Sequence, residues 1–241
     1  MKGRLQKDSW LFTRPIAHRG LWNSEFGENT LSAYKNAVDN NYPIEMDVQM
    51  TKDGVLCCFH DDNLKRVTGT DALINDLTYN EIKHLKISGT NDGIPTFKEF
   101  LALVNGKVPL VIEIKQQKVK RDNIAEKVVE ELAGYEGEFV VQSFDPFIVR
   151  DVRKANPNII RGQLGGLTER GSLSYPTYLT VKYLLLNFIS KPDFVNYMLQ
   201  AMPVKTSLPT ILWTIRTKDD EKKAKKFNKN YIFEGFIPEE N

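Results

Sequence analysis

Strand-like and helix-like segments alternate along the whole of this 241-residue chain, and that alternation selects a parallel sheet with helices outside it. Two further observations narrow the fold class to a (β/α)8 barrel of the TIM type. About eight strand candidates fall in a chain close to the ~250 residues such barrels typically need. Strands that are otherwise apolar carry charged residues along one face, and a barrel gathers functional residues at the C-terminal ends of its strands. An open doubly wound sheet is the alternative, disfavoured because no Gly-rich phosphate loop follows the first strand. Residues 1–241 read as a single domain.

The elements follow in order. Ile16-Ala17-His18-Arg19-Gly20 is a short apolar entry into a polar stop, a first strand whose end carries His18 and Arg19. Leu31, Tyr34 and Val38 recur at helical spacing over 31–40, with Asn29 or Thr30 placed to cap that helix. From Ile44 the pattern switches to period two. Ile44, Met46, Val48 and Met50 point one way and Glu45, Asp47 and Gln49 the other. The two carboxylates therefore leave one side of the strand ~7 Å apart. After the turn Lys52-Asp53-Gly54, a second apolar run, Val55 to Phe59, ends in His60-Asp61. Residues 61–95 are turn-rich and polar, with one short helix at 79–85; 97–104 is a further helix.

Leu110 to Lys115 alternates again, with Glu113 and Lys115 on its charged face. A helix at 123–133 and a strand at 139–144 follow. Asp145-Pro146 opens another helix, with Pro in its first turn. The segment 159–164 reads as a strand. Residues 162–180, rich in Gly, Ser, Tyr and Pro, read as a long mobile loop, and 183–189 fits helix and strand equally. Strands at 193–197, 210–215 and 231–237 and a helix at 219–227 complete the chain. The long turn-rich stretches 61–95 and 162–180 are where substrate choice is expected to reside.

Composition excludes several classes. A hydrophobic content of 41%, a charged content of 27% and a net charge of +2 describe an ordinary globular protein with no nucleic-acid-binding surface. The charged run Lys218 to Lys229 suits a solvated helix face. Cys57 and Cys58, adjacent on a strand, point to opposite faces and do not bridge each other, so a reduced, cytoplasmic setting is expected. No signal-peptide core and no ~20-residue apolar stretch is present, so membrane insertion is not expected.

The chemistry resides in the charged strand faces. Glu45, Asp47 and Glu113 are oxygen ligands suited to Ca²⁺ or Mg²⁺; zinc favours more nitrogen or sulfur. Taken alone, Glu45 and Asp47 also suit an interior salt bridge with Lys115 or Arg19. Of three histidines, His18 and His60 fall at strand ends, whereas His84 sits in a polar helix and reads as a surface residue. Imidazole is the natural acid or base near neutral pH. A hard cation with two imidazoles and the cations Arg19 and Lys115 favours a phosphate or phosphodiester ligand. Trp213, near a strand end, suits either a wall of the substrate site or core packing.

Several ordered blocks resemble the glycerophosphodiester phosphodiesterase family. They are HRG at His18 to Gly20, ENT at Glu28 to Thr30, EMDV at Glu45 to Val48, and HD at His60-Asp61, followed by Leu64, Arg66, Thr68 and Gly69. EIK at Glu113 to Lys115, QSFD at Gln142 to Asp145 and the Trp-Thr pair at Trp213 complete the set. The resemblance implies a TIM-type barrel with a small insertion after the second strand, at about residues 51–95. It implies a divalent cation, Ca²⁺ or Mg²⁺, on Glu45, Asp47 and Glu113. It also implies His18 and His60 as the acid/base pair, Arg19 as a phosphate contact, and cleavage of glycerophosphodiesters to sn-glycerol 3-phosphate and an alcohol. Two places depart from the family pattern. Phe233 to Pro238 replaces an Asp-rich ending, and Arg216 stands where Asn is common.

Two other functions fit less fully. A lysophospholipase D-type or ring-closing phosphodiesterase would need an exposed apolar rim. A non-catalytic glycerophosphate-binding protein would not need two histidines.

Overall fold

The computed structural model describes residues 4–116, 123–166 and 174–239. Among the described residues, nine strands follow in chain order: β1 Ile16–His18, β2 Ile44–Met50, β3 Leu56–Cys58, β4 Leu110–Ile114, β5 Phe139–Ser143, β6 Arg161–Gly165, β7 Phe194–Met198, β8 Thr210–Ile215 and β9 Tyr231–Phe233. Their order in the sheet is β1-β9-β8-β7-β6-β5-β4-β2-β3, with β1 also paired to β2. That order of parallel strands, alternating with helices, is the (β/α)8 class expected from the sequence. β3 stands apart from the repeat. It returns antiparallel on β2, pairing Val48 with Cys58 and Met50 with Leu56.

The chain divides into two compact units, Ala17–Phe139 and Met1–Ile16 with Val140–Asn241. In the first unit β2 is buried along its whole length, polar residues included. Its neighbours run parallel on either side, with His18 opposite Glu45 and Asp47 opposite Glu113. The helix Leu31–Asp39 begins where the Thr30 hydroxyl accepts from the Ala33 N–H, the second of the two caps anticipated. Its buried face is Ala33, Tyr34 and Ala37 rather than the Leu31-Tyr34-Val38 stripe. Small residues let this helix lie close to the backbone, and Tyr34 packs its ring 4.4 Å from that of Phe100. The helix Phe97–Val104 is started by a capping box between Thr96 and Glu99.

The polar segment 51–95 holds a core of its own. Cys57, Phe59, Leu64, Val67, Ile74, Ile82, Ile87 and Ile94 cluster together. These residues occur singly or in pairs between turns, so no periodicity announces them. The helix at its centre is shorter than expected, Tyr79–Ile82. Cys57 and Cys58 are both free and buried, and their thiols face different carbonyls, Gln49 and Thr96.

In the second unit the helix Pro146–Ala155 is capped by Asp145, whose Oδ1 accepts from Phe147 N–H at 2.8 Å. Among its described residues the expected loop at 162–180 is largely regular structure. Its start belongs to β6, and its end belongs to a helix, Tyr175–Tyr183, with Pro176 in the first turn. Residues 167–173 lie outside the described residues. The ambiguous segment 183–189 is helical where it is regular, closing that helix and opening another at Asn187–Ser190. β9 stops at Phe233 rather than residue 237, because Gly235 turns the backbone to φ +76°.

Gly20 is held tightly against the first unit's helix. Its φ is +82°, and a Cβ there would lie 2.9 Å from the Ala33 carbonyl carbon and 3.0 Å from Tyr34 Cδ1. The HRG turn can seat against the Leu31–Asp39 helix only without a side chain. Gly20→Ala should therefore destabilise the fold by about 2 kcal/mol or more. That corresponds to a loss of roughly 4–8 °C in Tm for a protein of this size. An unchanged melting curve by circular dichroism would contradict this packing.

Candidate active site

Registry alone brings the carboxylates together. Asp47 and Glu113 are partners on adjacent parallel strands, and Glu45 projects from the same face of β2 as Asp47. One oxygen from each of the three lies within 4.8 Å of the others, and all three residues are buried. Arg19 enters from the end of β1 with φ +57°, a left-handed conformation that costs a non-glycine residue roughly 1–3 kcal/mol. The conformation turns its backbone N–H onto Glu45 Oε2 at 3.1 Å and sets its Nε 3.4 Å from Asp47 Oδ2. Lys115, just beyond β4, places Nζ 2.7 Å from Glu113 Oε1 and 3.4 Å from Asp47 Oδ1. His18 Nε2 stands 3.9 Å from Glu45 Oε2. Salt bridges with Lys115 and Arg19, the simpler reading of this strand face, are thus present. Alone they do not balance the charge, since three carboxylates face two permanently charged side chains, with the two histidines adding charge only when protonated.

Burial, then the charges of Asp47 and Glu113, push the Glu45 carboxyl well above its ordinary range. Burial works the same way on Asp47. There, however, the positive charges of Lys115, His60, Arg19 and His18 prevail and hold the carboxyl below its ordinary range. Burial pulls Lys115 down, but Glu113 and Asp47 outweigh it and raise the ammonium above its usual value. Asp47 Oδ1 is buried and accepts no hydrogen bond. A buried cluster that raises one carboxyl and leaves an acceptor unsatisfied is short of positive charge. Its all-oxygen donor set fits a hard divalent cation.

Uncharged side chains hold this cluster in place. Asn29, in the left-handed region at φ +55°, donates from Nδ2 to Asp47 Oδ2 at 2.8 Å. Its Oδ1 accepts from the Asp47 N–H at 3.2 Å and from the Tyr34 hydroxyl at 2.8 Å. Burial, reinforced by Cys58 and Asp47, raises the Tyr34 phenol well above its ordinary range, so it stays a donor and the Asn29 amide has one orientation only. Gln49, the third polar residue of β2, donates to the carbonyls of His60 and Asp61 at 3.3 and 3.1 Å and fixes the turn that carries His60. Asp61 Oδ1 lies 2.6 Å from His60 Nδ1, so that contact engages Nδ1 rather than Nε2 of the ring.

Every sequence-derived candidate in this unit therefore falls in or beside one cluster. His84 is exposed and takes no part. Asn29 and Gln49 are site residues that the sequence does not mark as such; the ENT block points to the first, and only the structure points to the second. Trp213 belongs to the other unit. Its Nε1 donates to the Gly165 carbonyl at 3.2 Å, and its ring meets Phe144 edge-on at 5.5 Å. Arg216 and Glu234, from the two places that depart from the family pattern, form an ion pair with each other.

The barrel gathers three buried carboxylates, two histidines and two cations in one unit, and the carboxylates form an acidic triad that could bind a divalent ion. The sequence profile of the glycerophosphoryl diester phosphodiesterase family matches residues 18–237, and the chain belongs to that family. It is accordingly a phosphoric diester hydrolase acting on glycerophosphodiesters. A glycerophosphodiester phosphodiesterase of Caldanaerobacter subterraneus subsp. tengcongensis is 32% identical, over 86% of this chain and 88% of that one. A lysophospholipase D of Rattus norvegicus is 32% identical over 55% of this chain and 45% of its own length. Among solved structures, an Oleispira antarctica phosphodiesterase in complex with the product sn-glycerol-3-phosphate shares the fold. Its TM-score is 0.78 at 21% identity, covering 92% of each chain. A Thermotoga maritima glycerophosphodiester phosphodiesterase follows with TM-score 0.66 at 24% identity, covering 90% of this chain and 92% of that one.

Removing the Asn29 amide should free Asp47 to rotate. Outer-shell partners of this kind typically contribute 10–100-fold in metal affinity. Asn29→Ala should weaken Ca²⁺ or Mg²⁺ binding by about that factor in titration calorimetry, and Glu113→Gln by at least as much. Unchanged affinity in folded Asn29→Ala protein would show that Asp47 needs no such support.

Proposed function

We propose that the chain cleaves glycerophosphodiesters to sn-glycerol 3-phosphate and an alcohol by paired proton transfers at His18 and His60. Glu45, Asp47 and Glu113 would hold Ca²⁺ or Mg²⁺. When bound, that cation supplies positive charge to the phosphoryl oxygens. The observation that carries this reading is the meeting of three buried carboxylates and His18 on adjacent parallel strands, within 4.8 Å among the carboxylates and 3.9 Å from Glu45 to His18. Binding alone would call for the cation and the positive side chains but not for imidazoles.

Arg19 and Lys115 are assigned to the phosphate. Each already has carboxylate partners, so each arrives oriented rather than searching. His18, beside Glu45, takes the proton from the attacking hydroxyl, which is either water, giving sn-glycerol 3-phosphate directly, or the glycerol 2-hydroxyl, giving a cyclic phosphate that water then opens to sn-glycerol 3-phosphate. His60, held through Nδ1 by Asp61, gives a proton to the departing alkoxide from Nε2. Trp213, whose Nε1 donates to the Gly165 carbonyl and whose ring meets Phe144, is carried as a substrate-binding residue on the family resemblance alone. Alkoxides such as that of choline leave poorly at neutral pH, and a positioned acid contributes typically ~10²–10⁴-fold.

A substrate with a nitrophenolate leaving group needs no proton on departure. His60→Ala should lose about 10²-fold or more on glycerophosphocholine and far less on the nitrophenyl analogue. His18→Ala should lose heavily on both. Equal losses in the two variants on the two substrates would refute the division of roles, and rescue of His18→Ala by the good leaving group would reverse it.

A second reading, lysophospholipase D-type cleavage, is favoured by one feature. Tyr175, Tyr183, Leu185 and Phe188 are all exposed within one short segment after β6. Tyrosines, apolar with one polar end, suit a lipid–water interface, and Leu185 and Phe188 add exposed apolar surface beside them. On this reading Tyr183→Ser with Phe188→Ser should lower kcat/KM on lysophosphatidylcholine about tenfold and leave glycerophosphocholine unaffected. Equal rates for the two proteins on the lysolipid would remove the reading.

A further inference from the structure

Arg66 sits in the block that follows His60-Asp61, and neither the proton transfers nor the cation site uses it. Its surroundings are unusual for a half-exposed arginine. Nε donates to Asp61 Oδ2 at 2.6 Å and Nη2 to Asp61 Oδ1 at 3.2 Å. The same guanidinium reaches Glu28, with Nη1 at 3.0 Å from Oε2 and Nη2 at 2.5 Å from Oε1. Both of those carboxylates also hold a residue of the site. Asp61 Oδ1 lies 2.6 Å from His60 Nδ1, and Glu28 Oε1 accepts from Arg19 Nη1 at 2.7 Å.

We propose that Arg66 is a positioning residue that ties the proton donor His60, through Asp61, to the phosphate contact Arg19, through Glu28. The proposal rests on the assignment of His60 as the acid.

Isolated surface ion pairs contribute little, but a bidentate, networked arginine is the exception. Asp61 has two oxygens and a free torsion. With Arg66 across both oxygens, the carboxylate plane is set, and with it the ring of His60. Glu28 grips the outer end of the Arg19 guanidinium while Asp47 faces its Nε. The charges agree with this geometry. Burial raises Asp61, but hydrogen bonds from His60 and Arg66 hold it below its ordinary range. Glu28, also raised by burial, is brought below its ordinary range by Arg66 and Arg19.

The backbone beneath Arg66 is anchored as well. It lies in the short turn of helix Lys65–Thr68, closed by Gly69 at φ +78°. Leu64 and Val67 flank it and are buried in the core of the 51–95 segment. That insertion thereby gains a role, since it carries the fork that spans two parts of the site. Lysine, a single point donor, cannot bridge two carboxylates bidentately.

The test compares glycerophosphocholine with its nitrophenyl analogue in Arg66→Lys, Arg66→Met, Glu28→Gln and His60→Ala, with Tm measured for each. Arg66→Lys keeps the charge and guards against a variant that merely fails to fold. Both Arg66 variants should lower kcat on glycerophosphocholine about 10–100-fold, as small misplacements of a reacting group do. They should lose much less on the nitrophenyl substrate, following His60→Ala. Glu28→Gln should instead raise KM on both substrates by a similar factor and leave their kcat ratio in place. Equal losses on both substrates in the Arg66 variants, with His60→Ala still discriminating, would overturn the coupling. If His60→Ala does not discriminate, the acid assignment is what fails. The tie is then judged on KM, which Arg66→Met must raise through Arg19; an unchanged KM overturns it.

Discussion

Three carboxylates buried within 4.8 Å of one another are the constraint around which the Ala17–Phe139 unit is arranged. Like charges this close in a water-poor interior repel strongly. Everything adjacent serves to contain them. Lys115 and Arg19 supply charge, Asn29 and the Arg19 backbone N–H supply hydrogen bonds, and the strain of a left-handed arginine is accepted to bring that N–H into place. Gly20 follows from the same demand. The chain must leave Arg19 at once and pass tightly over Ala33, which only glycine allows. These compensations remain incomplete, because Asp47 keeps an unsatisfied oxygen and Glu45 a raised pKa. A divalent cation would complete them, and the all-oxygen donor set suits one.

The support around this cluster is built in layers. Tyr34 orients Asn29, which orients Asp47. Gln49 fixes the turn of His60 and Asp61 from the strand that bears the carboxylates. A rigid parallel strand thus sets both the charged cluster and the backbone of an imidazole on a loop. Precision of this sort is what positioned acid–base catalysis requires.

Much of this is legible from residue pattern. Period-two alternation at Ile44 to Met50 separates Glu45 and Asp47 from the apolar face, and the same alternation exposes Glu113 and Lys115. What pattern does not carry is register. That Asp47 stands opposite Glu113 depends on which strands are neighbours and at what offset. Asn29 and Gln49 are illegible for another reason. Amides carry no charge signature, and Asn29 reaches Asp47 only because its own backbone is left-handed. The segment 162–180 reads as loop because it is rich in Gly, Ser, Tyr and Pro, of which Gly, Ser and Pro are turn formers, although proline in a first turn starts helices, as Pro176 does. The core of 51–95 escapes pattern because its apolar residues are scattered among turns and meet only in three dimensions.

The most direct measurement is release of sn-glycerol 3-phosphate from glycerophosphocholine by thoroughly metal-stripped protein, followed as Ca²⁺ or Mg²⁺ is titrated back. Activity should be absent without the cation and return along a saturable curve. Glu113→Gln should shift that curve to higher concentration, because an anionic ligand is lost with little change in volume. Full activity in the stripped protein would contradict the reading of Glu45, Asp47 and Glu113 as a cation site.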